Sequence, residues 1–157
     1  MQTSNSEHFL LKYGDLLYDL CESVLWTPTH AQFAFRSILK KLESESKSQK
    51  YSQYERSWVL QVTYEKLLSL CQKHGRRVSA QDQIELDANE DIENRLKQFE
   101  KFFHRLLPED KILLILKDKY KIPFQEISSA MITPVGSLKM RRQQALRTLE
   151  EWLWTNP

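Results

Sequence analysis

The side chains best suited to chemistry cluster near the C-terminus: Ser137, Lys139, Met140, Arg141, Gln143, Gln144 and Arg147. At about 100° per residue, Val135, Leu138, Ala145, Leu149 and Trp152/Leu153 share one arc of a helix. Gly136, Met140, Gln143, Gln144 and Arg147 fall on the opposite face, flanked by Lys139 and Arg141. Arg and Gln can reach base edges in the major groove of DNA, while Ser137 and Lys139, near the helix start, suit phosphates. A plain solvated face has a similar composition, but the short helix and turn that precede this one favour DNA contact. Arg142 is out of place, because it points inward with Leu138 and Ala145. Its guanidinium must snorkel along its stem to solvent or pair with an acid on a neighbouring helix.

A second group, Lys50, Tyr51, Tyr54, Arg56 and Trp58, interleaves cations with aromatics. Such a mixture can hold single-stranded DNA, with bases stacked on rings and phosphates met by cations. The competing reading makes Trp58, at the head of an apolar helix, part of the core. Catalysis finds little support. His8, His30, His74 and His104 are scattered without metal-ligand spacing, and the three glycines form no phosphate loop. Neither Cys21 nor Cys71 has a plausible histidine partner for catalysis nearby in sequence, and Glu109-Asp110 reads as a helix start. No enzyme activity, cofactor or metal is expected.

The elements that must position these groups are helical. Leu107-Pro108-Glu109-Asp110 opens a helix, with Pro early and two acids in the first turn, where exposed amides favour them. Ile112, Leu113, Leu116 and Tyr120 give it one apolar face, and Ile122-Pro123 ends it. Residues 124–131 form a short helix, and Thr133-Pro134 supplies an N-cap and a first-turn Pro for a long helix from Val135 to about Trp152. This is the outline of a helix-turn-helix. Ile132 sits at its turn, and a branched Cβ disfavours positive φ, so a different backbone geometry is expected there. Upstream, Phe9, Leu10, Tyr13, Leu16, Leu17, Leu20, Val24 and Leu25 mark a helix over 7–25. Phe33, Phe35, Ile38, Leu39 and Leu42 mark a second, residues 54–73 a third, and 92–106 a fourth with Ile92, Leu96, Phe99 and Phe103 on one side.

Across about 50 residues the C-terminal text resembles the C-terminal domain of the extracytoplasmic-function sigma factors of bacterial RNA polymerase. The matching residues are Leu107-Pro108, Glu126-Ile127-Ser128, Val135-Gly136-Ser137-Leu138-Lys139-Met140-Arg141, Ala145 and Leu149. The N-terminal half is similar more loosely, through Thr27-Pro28-Thr29-His30, the helix 31–42 and Trp58-Val59-Leu60-Gln61-Val62-Thr63. The resemblance implies a sigma factor that binds core RNA polymerase and promoter DNA, reading one promoter element and opening another. Polymerase would be held through Gln32, Phe35, Arg36, Leu39 and Lys40, and an anti-sigma factor is a further partner of the kind this family has. The family's clamp-helix acid and Gln are replaced here by Phe33 and Arg36. That departure motivates a rival: a sigma-like DNA-binding regulator or protein-interaction module without productive polymerase contact.

Composition agrees with an all-α chain. Hydrophobic content is 41% over 157 residues, glycines number three, and hairpin turns are missing. The charge is segmented: 11 bases to 8 acids over 1–78, 2 to 7 over 79–100, and 10 to 6 over 101–157. Two small helical domains, 1–78 and 92–157, joined by an acidic linker at 79–91 follow from this, the C-terminal one a helix-turn-helix. No apolar run approaches the roughly 18–20 residues of a membrane span and no signal-peptide core is present, so a cytoplasmic protein without membrane insertion is expected. Two distant cysteines fit a reducing compartment.

Overall fold

The structure is a computed structural model, and it describes residues 5–25, 27–47, 54–74 and 92–155. The described residues are all helical and include no strand. In chain order the helices are α1 (Asn5–Leu25), α2 (Pro28–Ser46), α3 (Glu55–His74), α4 (Ile92–Arg105), α5 (Pro108–Leu114), α6 (Phe124–Met131) and α7 (Val135–Thr155). The expected linker at 79–91 lies outside the described residues.

Helix α1 follows its spacing: Phe9, Tyr13, Leu16, Leu17, Leu20, Cys21 and Val24 are buried along one stripe. Leu10, expected inside, is exposed and lies over Gly14. Helix α2 is capped by Thr27, whose Oγ1 accepts from the His30 amide at 3.3 Å, with Pro28 in its first turn. Its buried face is Ala31, Ala34, Ile38 and Leu42, with Phe35 and Leu39 packed beside it, and of the expected apolar residues only Phe33 turns outward. Two alanines let α2 approach α1 closely, and this rotates Phe33 out to 56% exposure. Phe35 stays half-buried, edge-on to Tyr18 at 5.5 Å. In α3, Val59, Leu60, Val62, Leu67 and Leu70 are buried, with the Thr63 hydroxyl donating to the Val59 carbonyl.

The stretch from Lys111 in α5 to Leu116 beyond it is wholly buried, while Glu109 and Asp110 in the first turn of α5 are half-buried. The helix widens into a π-helical turn at Ile115–Lys119, closed by amides of Tyr120 and Ile122 donating to the carbonyls of Ile115 and Leu116. Lys121 then takes φ 56° before Pro123. One apolar cluster runs from Phe9 and Leu17 through Ile38 and Leu67 to Ile112, Ile127 and Leu138, so both halves contribute to it. A second cluster of Phe102, Leu106, Leu114, Ala145 and Leu149, with Trp152 against it, joins α4, α5 and α7. Of the expected α4 face, Phe103 packs against both clusters and Phe99 is exposed, while Phe102 is the buried ring.

The connection from α6 to α7 corrects two expectations. Ile132 does adopt the left-handed conformation, at φ 49° and ψ 50°. Its amide and that of Thr133 both reach the Ser128 carbonyl, and the Ser128 hydroxyl donates to the Thr133 carbonyl. These bonds impose a geometry the side chain disfavours. Thr133 does not cap α7; its hydroxyl donates back to the Met131 carbonyl at 3.0 Å. Ile132 is 74% exposed, so little packing depends on it. Ile132→Gly should relieve the strain and stabilise the fold by about 0.5–1 kcal/mol, raising Tm by about 2–4 °C. Thermal unfolding followed by circular dichroism checks this, and a lowered Tm would contradict it.

Candidate functional site

The exposed face of α7 carries Ser137, Lys139, Met140, Gln143, Gln144 and Arg147 as expected from their spacing. Arg141 does not join them. Its Nε donates to Asp110 at 3.0 Å, with Glu109 at 3.7 Å, so the first turn of α5 draws it inward. Arg142 takes the pairing option: it donates from Nε and Nη2 to the Asp118 carboxylate on the π-helical turn. Beside this face the Phe124 ring lies between two ammonium groups, Lys117 at 4.7 Å and Lys139 at 5.8 Å from its centroid.

The strand-capture group is not assembled into one surface. Lys50 and Tyr51 lie outside the described residues. Tyr54 is 70% exposed, whereas Trp58 packs against the core with its ring 5.7 Å from Phe9. Arg56 is committed to α6, donating to both Glu126 oxygens at 2.6 and 3.1 Å. Its neighbour Glu55, which spacing alone did not single out, accepts from Lys12 at 2.9 Å and Tyr13 at 2.8 Å and meets His8 at 3.1 Å. Burial would raise the Glu55 carboxyl, but the hydrogen bonds from Lys12, Tyr13 and His8 outweigh it and hold the group below the ordinary carboxylate value. The dipeptide Glu55-Arg56 thus ties α3 to α1 on one side and to α6 on the other.

Two further ties join the halves. Asp19 of α1 pairs with Lys119 and accepts from the Tyr120 hydroxyl at 3.0 Å. Buried Lys111 directs its ammonium at the Val24 carbonyl (3.4 Å) and the His104 carbonyl (3.5 Å), where the C-termini of α1 and α4 converge. Sequence spacing missed Lys111, Asp19 and Glu126 because each acts on a residue distant in the chain. The one available signal was a lysine placed directly before the run Ile112-Leu113-Leu114-Ile115-Leu116.

On α2, the expected polymerase-binding residues divide. Gln32, Arg36 and Lys40 are exposed, whereas Phe35 and Leu39 pack against the core. Among the described residues no group of three potential metal ligands occurs, and no helix is long and apolar enough to cross a membrane. Cys21 is buried, and burial pushes its thiol up to about 12.

Comparison with known proteins adds the following. The model of the Gal4-like dimerisation domain matches residues 90–139, less than half of the chain. No curated protein matches. Among solved structures, the chain is similar to one in the co-crystal structure of the sigma factor RpoE in complex with the anti-sigma factor NepR from Bartonella quintana. The TM-score is 0.74 at 18% identity, over 99% of this chain and 100% of that one. At this identity the likeness is one of fold.

These findings correct the expectation that the chain is an extracytoplasmic-function sigma factor delivering promoter recognition to core polymerase. The family match is to a dimerisation domain and the structural neighbour is a chain of a complex between a sigma factor and an anti-sigma factor. Both are protein–protein assemblies, and neither is a promoter complex. The physical reason lies in the packing: Arg56, Trp58 and Arg141, needed on free DNA-binding surfaces, are spent on Glu126, Phe9 and Asp110.

One consequence is a pH dependence at the junction of α1 and α4. Burial, helped by the Lys111 charge, pushes the His104 imidazole down from 6.5 to about 4. The unfolded chain therefore takes up this proton first, so the stabilisation is complete above 6.5 and is lost as pH falls toward about 4. Tm should decline across that interval, and His104→Asn should flatten the decline. An equal slope in the variant would contradict the assignment.

Proposed function

We propose that the chain is a regulator in a sigma-factor circuit that works by binding a protein of that circuit, without productive contact with core polymerase. The observation that carries this is the likeness of fold over the whole chain to a member of a sigma–anti-sigma complex. The closed packing of α6 on α3 supports it, since the Arg56–Glu126 pair occupies groups that DNA would otherwise need. In this reading the chain has no catalytic step of its own, and 1–78 and 92–157 act as two helical units joined at 79–91. A sigma factor of the RpoE type is the first partner to test. Calorimetric titration of the purified chain with RpoE should give saturable binding. Binding to NepR instead would keep the regulatory role and exchange its target. Binding to neither would refute the proposal.

A second reading, that α6 and α7 form a DNA-contacting helix-turn-helix in addition, rests on the exposed Ser137, Lys139, Gln143, Gln144 and Arg147. Here Lys139→Ala with Arg147→Ala should reduce the slope of log affinity against log salt by about 2 for duplex DNA. An unchanged slope would leave protein contact as the whole function.

A further inference from the structure

The π-helical turn at Ile115–Lys119 sends successive side chains to three different helices. The Lys117 ammonium lies over the Phe124 ring of α6, 4.7 Å from its centroid. Asp118 accepts from Nε and Nη2 of Arg142 on α7. Lys119 pairs with Asp19 of α1, and Tyr120, which closes the turn, donates its hydroxyl to the same carboxylate at 3.0 Å. A π turn is rare and occurs mostly as a single widened turn, so tertiary contacts must hold this one against the ordinary α pattern. Its own backbone supplies two bonds, from the Tyr120 amide to the Ile115 carbonyl and from the Ile122 amide to the Leu116 carbonyl. The pairs with Asp19 and Arg142 brace it from α1 and from α7.

We propose that this turn couples α1 to α7, so that the contacts of Asp19 and of Arg142 form and break together. The coupling goes beyond the regulatory function proposed above and does not depend on which partner the chain binds. With Asp19 seated, Lys119 and Tyr120 are fixed, and Asp118, one residue earlier, is held at Arg142. When Asp19 lets go, the turn tightens to the α pattern. One residue then leaves the widened ring, and the side chains at that point rotate by about 100°. Asp118 is carried away from Arg142, which loosens α7 near the middle of its length. Such a turn is a two-state element that both helices bias, which is what coupling between separate sites requires. Among the described residues Arg142 makes no hydrogen bond or ion pair with Asp19, so no direct contact substitutes for the turn. A ligand that lifts α1 off the turn therefore alters α7, and one that restrains α7 favours the seating of α1.

The test changes Asp19 and reads Arg142. In the full isotope-labelled chain, nuclear magnetic resonance of the Arg142 Nε–H group reports its pairing with Asp118 through exchange with water. Asp19→Ala should speed that exchange about fivefold. Glu126→Gln breaks the Arg56–Glu126 pair, which makes no bond to the turn, and should change it by less than about twofold. Thermal unfolding supplies a second readout. Asp19→Ala combined with Arg142→Gln should lower Tm by less than the two separate falls added, because either change releases the same turn. All three side chains are partly open to solvent, and circular dichroism verifies that the variants keep their helicity. Unchanged exchange in Asp19→Ala, an equal rise in Glu126→Gln, or strictly additive falls in Tm would each overturn the proposal and leave two independent surface pairs. None of these readouts uses RpoE, NepR or DNA, so failure of the proposed function is a separate result.

Discussion

From Lys111 to Leu116, across the end of α5 and the start of the π-helical turn, every residue is buried, so this stretch must be covered on every side. Helices α1 and α3 cover one flank through the cluster that contains Leu17, Leu67, Ile112 and Leu113. Helices α4 and α7 cover the other through Phe102, Leu114 and Leu149. Withdrawing the N-terminal half would expose several large side chains at about 1.5–3 kcal/mol each. That cost exceeds what any surface ion pair here can supply, so apolar burial holds the halves together.

The polar contacts have a different task. The Arg56–Glu126, Asp19–Lys119 and Arg142–Asp118 pairs are each partly open to solvent and are worth about 0–1 kcal/mol apiece. Their geometry nevertheless selects one register of α6 on α3 and of the π-helical turn on α1. Lys111 is the exception, since a buried ammonium without acceptors would be strongly destabilising. It is sited where the carbonyl ends of α1 and α4 meet, so its charge and two helix dipoles are satisfied together.

Helix number and helix type were legible in the sequence because periodicity reports them directly. Residues 124–131 and the start at Val135 agree with the structure to the residue. What periodicity could not report was which of two plausible faces turns inward. In α2 the expected Ile38 and Leu42 are buried, but Ala31 and Ala34 share that face and Phe33 turns outward, because close helix approach favours the small residues. In α4 the same ambiguity hid Phe102, which is buried beside the expected Phe103 while Phe99 is exposed. Long-range pairings were illegible for a different reason: Arg56 and Arg141 look like free cations until Glu126 and Asp110 are brought to them. This is also why a pattern that resembles a promoter-binding protein resolved into a closed body. Of the residues expected to face DNA, Ser137, Lys139, Met140, Gln143, Gln144 and Arg147 are exposed and Arg141 is drawn inward, because the local 3.6-residue repeat alone places the others.

Closure of the two halves on α5 is the claim on which the regulatory reading stands, and small-angle X-ray scattering of the isolated chain measures it most directly. A single closed body of this length should give a radius of gyration of about 15 Å. A value of about 20 Å or more, with the elongated profile of two bodies on a tether, would contradict closure and return the Arg56 and Glu126 surfaces to solvent.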